Sequence, residues 1–142
     1  RPELRIELNG GIADLDTALA QRGKVDGVML GRAAYQDPYL LHRLDAVLAS
    51  RATEPREVLL RRLRPYVEAQ LATGLALKHI SRHMLGLWHG EPGGRAFRQV
   101  LSERAHLPGA DWQVLEQAMS AQAAVSSHVA DRDTFANASL TS

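Results

Sequence analysis

The chain contains no cysteine. That excludes disulfides, thiolate zinc sites and a thiol nucleophile or acid supplied by these residues. It also suits a reducing cytosol. Lysine is scarce: Lys24 and Lys78 stand beside fifteen arginines among 17 basic residues. A genome biased toward arginine codons gives such a ratio, and so does a demand for planar, bidentate phosphate recognition. No surplus of one charge exists, because the formal net charge is only +1, and no global polycation argument is available. No hydrophobic run approaches the roughly 18 residues of a membrane span. The first five residues carry basic side chains with no apolar run behind them, so no secretory signal is expected. What remains is an ordinary globular composition, 45% hydrophobic and 23% charged over 142 residues. That length holds one domain, or two small pieces, and can bury a core without staples.

The small net charge hides an uneven distribution. Residues 55–106 carry nine basic and four acidic side chains, net +5, between flanks of net −1 and net −3. The same segment holds His79, His83, His89 and His106. A basic block between acidic flanks fits a polyanion-facing surface, and a solvated helical surface gives the same count.

Residues 4–8 (Leu-Arg-Ile-Glu-Leu) alternate apolar and polar, then meet Asn9-Gly10-Gly11. This pattern predicts a strand ending in a tight turn. A short helix follows from Asp14 to Arg22, with Gly23 as its stop. Residues 25–30 are nearly all apolar, as expected of a strand buried on both faces. Gly31-Arg32 comes next, then a helix from Asp37 or Pro38 to Leu48. Strand, helix, strand, helix is most simply packed as parallel strands with a crossover helix. Both strands end in glycine at their carboxyl ends, where α/β proteins place ligands. In eight-stranded barrels the loops after the last two strands commonly bind phosphate. Arg32 can grip phosphate oxygens bidentately. Glycines that merely permit turns would leave the same pattern. Two strands cannot close a barrel or form a stable sheet alone. The chain is therefore expected to begin inside a larger α/β domain, with strand edges open to self-association.

The remainder reads as helices. One spans about 55–73, with Val58, Leu59, Leu63, Tyr66, Val67 and Leu71 as its apolar stripe and a kink or break at Pro65. A second spans 75–89, with Leu77, Ile80, Met84, Leu87 and Trp88 inward. A third runs 94–104 on Ala96, Phe97, Val100 and Leu101, and a fourth runs 111–125 on Trp112, Leu115 and Met119. An antiparallel bundle fits these lengths. Beyond residue 126 the Ser-, Ala- and Asp-rich sequence reads as a frayed tail. Lys78 and Arg82 share a helical face, and Arg95 and Arg98 lie near a helix start. His79 and His83 are also four apart, but no third ligand accompanies them, so no metal site is expected.

Three strings carry a resemblance: Ile6-Glu7-Leu8-Asn9-Gly10-Gly11-Ile12; Val25-Asp26-Gly27-Val28-Met29-Leu30-Gly31-Arg32, running on to Asp37-Pro38-Tyr39; and Ile80-Ser81-Arg82-His83-Met84-Leu85-Gly86-Leu87-Trp88-His89-Gly90, continuing through Pro92-Gly93-Gly94-Arg95-Ala96-Phe97-Arg98. Together they resemble the C-terminal part of bacterial tRNA-dihydrouridine synthases of the A-type, over roughly residues 1–120. The resemblance implies a mainly α chain: a βαβα remnant of an FMN-binding TIM barrel (residues 1–50), a helical tRNA-binding domain (51–126) and a flexible tail (127–142). It implies a cytoplasmic enzyme that reduces uridine in the tRNA D-loop, with NADPH reducing FMN and a cysteine protonating C5. Matched by motif, Asn9, Gly10, Gly11, Gly31 and Arg32 fall on the FMN-binding segments. Arg82, Arg95 and Arg98 fall on basic positions facing tRNA, and Lys78, which shares a helical face with Arg82, is expected to bind RNA with them. Trp88 stands where many relatives have Phe, and Gly94 where Ala is usual. Without the cysteine, no catalytic residue of the family lies in this chain, which is expected to bind tRNA and not to catalyse. A non-catalytic RNA-binding or protein-interaction bundle is the alternative.

Overall fold

The computed structural model describes residues 3–139. Residues 1, 2 and 140–142, the extremes of the expected first unit and tail, lie outside the described residues. The chain divides into two compact units, Arg1–Glu54 and Pro55–Ser142.

In the first unit the order is β1 (Glu7–Asn9), α1 (Leu15–Leu19), β2 (Gly27–Met29), α2 (Gly31–Gln36) and α3 (Tyr39–Leu48). The strands pair in parallel, with Glu7 opposite Gly27, Leu8 opposite Val28 and Asn9 opposite Met29. Asp26 sets this register. Its N–H donates to the Ile6 carbonyl at 2.8 Å, while its carboxylate accepts from the Ile6 N–H at 2.7 Å. Asp14 caps α1 by accepting from the Thr17 N–H at 2.7 Å.

Two expectations need correction here. The strands are shorter than the alternation suggests, and β2 is half-buried, with Met29 exposed. Among the described residues the sheet has two strands, so nothing covers the second face of the apolar run. Residues 31–36, to which the sequence reading assigns no element, also form a helix. Gly31 and Pro38 signal turns, but Ala33, Ala34 and Gln36 between them are helix formers.

The second unit is helical: α4 (Arg56–Arg62), α5 (Arg64–Ala72), α6 (Lys78–Ser81), α7 (Gly94–Arg104) and α8 (Trp112–Ser139). Pro65 sits in the first turn of α5, where its missing N–H costs nothing, and the chain breaks just before it at Leu63. This break changes which residues face inward. Leu60 and Val67 are completely buried, whereas Val58, Leu63 and Tyr66 are exposed. A single 3.6-residue period run across 55–73 ignores the phase shift that the break introduces.

The expected helix over 75–89 is α-helical only from Lys78 to Ser81. It continues as successive turns, with His83, Met84, Leu87 and His89 donating to carbonyls three residues back. Leu77, Ile80, Met84 and Trp88 are nonetheless all buried, because a tighter winding still brings positions three and four apart to one side. The core joins them to Leu60, Val67, Phe97, Leu101, Trp112, Leu115 and Met119. Trp88 and Phe97 pack tilted, with ring centroids 4.5 Å apart. Helix α8 continues to Ser139, through residues where no element is expected. The last proline and glycine are Pro108 and Gly109, and alanines recur at 121, 123, 124, 130, 136 and 138, so nothing in the sequence stops the helix. The chain as a whole is mainly α, with one parallel pair of the kind from which (β/α) barrels are built.

Candidate functional site

All five residues picked from the glycine-ended strands line one cavity of about 480 Å³. Asn9, Gly10 and Gly11 enter it from the end of β1, and Gly31 and Arg32 from the end of β2, with Ile12, Met29 and Gln36 beside them. Parallel pairing is the cause, since it brings two carboxyl ends 20 residues apart in sequence to one edge. Gly10 and Gly11 adopt φ of 97° and 73°, a region that side chains rarely enter. No atom lies within 4 Å of where either Cβ would stand, so backbone shape and not crowding selects glycine. Neither N–H donates to another described residue. Arg32 is exposed and makes no ion pair among the described residues. Two unspent backbone donors and one unspent guanidinium suit an anion such as a phosphate monoester.

The second unit carries a smaller groove of about 170 Å³. Lys78 and Arg82 both line it, from α6 and the turn after it, together with Ser81, Leu101, Ser102 and His106. Arg95 and Arg98 do not line this groove. They lie exposed on α7, seven and four residues before Ser102, and so on the same helical face. The sequence reading gives Ser81, Ser102 and His106 no site role, although Ser81 stands in a matched string and His106 among the histidines of the basic block. The four-residue step from Ser102 to His106 is the only spacing signal they leave, and it has meaning only once Lys78 and Arg82 are placed opposite.

His79 lies in α6 and His83 in the turns that follow its end at Ser81. His83 Nε2 accepts from Arg82 Nε at 3.2 Å. Among the described residues no group of three His, Asp or Glu side chains is arranged to hold a metal ion. A third cavity, about 470 Å³, opens between α4 and α8 beside Glu57, Arg61, Trp88, Ser120 and Gln122. No sequence motif marks it. Among the described residues Asp14 is the one carboxylate held clearly below its ordinary range, first by the Thr17 N–H and then by the Thr17 hydroxyl.

Comparison with known proteins adds the following. Residues 2–125 match the dihydrouridine synthase (Dus) family. A tRNA-dihydrouridine(20/20a) synthase of Xanthomonas axonopodis pv. citri is 64% identical over 119 residues, which is 84% of this chain and 36% of that protein. The protein of the same description from Xylella fastidiosa strain 9a5c is 52% identical over 136 residues, 96% of this chain and 38% of its own length. One from Escherichia coli O6:H1 is 47% identical over 120 residues, covering 83% and 36%. The chain thus spans little more than a third of the length of these relatives.

Proposed function

The chain belongs to the dihydrouridine synthase family, and from that premise we propose that it supplies the phosphate end of an FMN site and a tRNA-holding surface to a tRNA-dihydrouridine(20/20a) synthase. The observation that carries this reading is the convergence of Asn9, Gly10, Gly11, Gly31 and Arg32 on one cavity in a chain of this family. Arg32 and the Gly10 and Gly11 N–H groups would hold the FMN phosphate. FMN, when bound and reduced by NADPH, supplies the reducing equivalents for the uridine C5–C6 bond. This chain's own residues bind and orient. With no cysteine among them, they offer no thiol to protonate carbon, and turnover by the 142-residue chain alone is not expected.

For the RNA, Lys78 and Arg82 line a groove, and Arg95 and Arg98 extend its basic character along α7. Phosphate contacts of this kind bind by charge and release counterions. The setting would be the cytoplasm, where tRNA is modified. The test is a titration of the whole chain against unmodified tRNA at about 50 and 200 mM salt, a range over which phosphate-dominated affinity falls steeply. Arg98→Ala should weaken binding and flatten the log–log salt slope by about one unit. Salt-independent binding, or binding unaltered by loss of Arg95 and Arg98 together, would favour a protein-interaction bundle instead.

A further inference from the structure

The groove on the second unit has more chemistry than two cations. His106 follows the last turn of α7, and its Nδ1 lies 3.1 Å from the Ser102 carbonyl oxygen. A carbonyl only accepts, so that nitrogen carries a proton and donates it. The ring is thereby fixed in one tautomer, with Nε2 as its remaining polar atom. In the neutral ring Nε2 is an acceptor and would repel an anion's oxygen; protonated, it becomes a donor. The Lys78 ammonium makes no ion pair or hydrogen bond with the described residues, and the Arg82 guanidinium spends only Nε, on His83. Ser81 is almost wholly buried yet borders the groove. Leu101 helps to floor it. An apolar floor, free cations and hydroxyls, with no acidic side chain in the lining, suit one tetrahedral oxyanion better than a cation or a neutral ligand. The charged and titratable groups facing His106 across the groove are Lys78 and Arg82, with His83 behind Arg82. On its own element, Glu103 is engaged by Gln99 at 2.9 Å and Arg104 by Gln117 at 2.7 Å.

We infer that this groove is a proton-dependent phosphate pocket, in which Lys78 and Arg82 supply charge, Ser81 and Ser102 supply hydroxyls, and His106 donates from Nε2 only when protonated. Resting on the reading above, the phosphate is one from the RNA backbone, and its binding takes up a proton at His106. Linkage then requires affinity to rise as pH falls.

Two measurements on the whole chain separate this inference from the reading beneath it. In the first, sulfate, whose charge is constant between pH 6 and 8, is titrated in while the ring C–H signals of histidine are followed by NMR; His106→Gln assigns the His106 signal. Sulfate should shift that signal at pH 6, and the shift should vanish in Lys78→Ala/Arg82→Ala. In the second, tRNA affinity is measured at pH 6 and pH 8 at fixed salt. The wild type should bind several-fold tighter at pH 6, and His106→Gln, which keeps a polar side chain but cannot titrate, should lose most of that ratio. If sulfate leaves His106 unmoved, or the variant keeps the wild-type pH ratio, the pocket is overturned although tRNA still binds. If sulfate shifts His106 and no tRNA binds at either pH, the pocket stands and the RNA reading fails.

Discussion

Single residues in this chain are fixed by backbone geometry more often than by side-chain chemistry. Gly93 has φ of 79°, and a Cβ there would stand 2.3 Å from the Gln122 carbonyl oxygen. Gly94 is normal in φ, yet its Cβ would stand 2.3 Å from the Trp88 carbonyl oxygen. Both neighbours are backbone and cannot rotate away. The turn over 90–93 is also pinned to α8 by the Gln122 amide, which donates to the Pro92 carbonyl at 3.0 Å. Gly94→Ala should therefore destabilise the second unit by about 1–3 kcal/mol through overpacking. Gly93→Ala should cost more, since about 1–3 kcal/mol of left-handed strain adds to the same crowding. Urea titration followed by tryptophan fluorescence checks both. That glycines punctuate this turn is legible in the sequence; the close carbonyls that require them are not. Asp14 gives a residue-scale prediction of another kind. Its carboxylate is held below its ordinary range by Thr17, so the folded form favours the ionised state. The stability it lends to α1 is present above the unfolded carboxylate range and is lost as pH falls through the lowered folded value. Asp14→Ala should abolish that acid-side loss, read as the pH dependence of amide exchange at Thr17 and Ala18. An unchanged profile would mean that the cap does not govern α1.

At the scale of elements, the sequence is legible where one period governs an uninterrupted helix. Helix α7 is the clear case. It is expected over 94–104 and forms from Gly94 to Arg104, with Phe97 and Leu101 buried. Legibility fails where a break resets the phase. Leu60 is missed and Val58 wrongly turned inward, because the stretch over 55–73 is two helices meeting at Leu63. The difference is measurable. Leu60→Ala removes a fully buried side chain and should cost about 2–5 kcal/mol. Val58→Ala, at a site 37% exposed, should stay within about 0.5–1 kcal/mol. Equal losses would restore the single-helix register. The site follows the same logic. The glycines and Arg32 are legible because turn chemistry and strand ends leave local marks. That they meet in one cavity depends only on parallel pairing, which is also inferable from the order of elements. The groove residues Ser81, Ser102 and His106 leave almost no mark. Their role depends on where α7 lies against α6, and sequence spacing carries no information about that.

The whole molecule is two units with unequal means of staying folded. Among its described residues the first buries five apolar side chains, Ala18, Ala33, Tyr39, Leu40 and Ala46, three of them alanine. The second joins fourteen in one core that includes both tryptophans, Trp88 and Trp112. Burying a large apolar side chain contributes about 1.5–3 kcal/mol, and ordering a residue's backbone costs about 1–2 kcal/mol. The first unit, with only Tyr39 and Leu40 as large buried groups, is therefore the weaker by a wide margin. Its strands add little, because a two-stranded sheet is marginal in water. The exposed Leu4, Ile6 and Met29 contribute no burial to it. The placement of chromophores makes this testable without a mutation. Both tryptophans report on the second unit alone, whereas far-ultraviolet circular dichroism reports on helices in both. In urea, the dichroism signal should begin to fall at lower denaturant than the fluorescence, because α1, α2 and α3 melt while the tryptophan core holds. Two-state folding would make the transitions coincide, and coincidence would mean that the first unit draws its stability from the second. The same ordering bears on function. Ligand that binds only the folded first unit should raise its midpoint by mass action. Adding FMN should therefore move the early dichroism change toward the fluorescence transition and leave the fluorescence midpoint where it was.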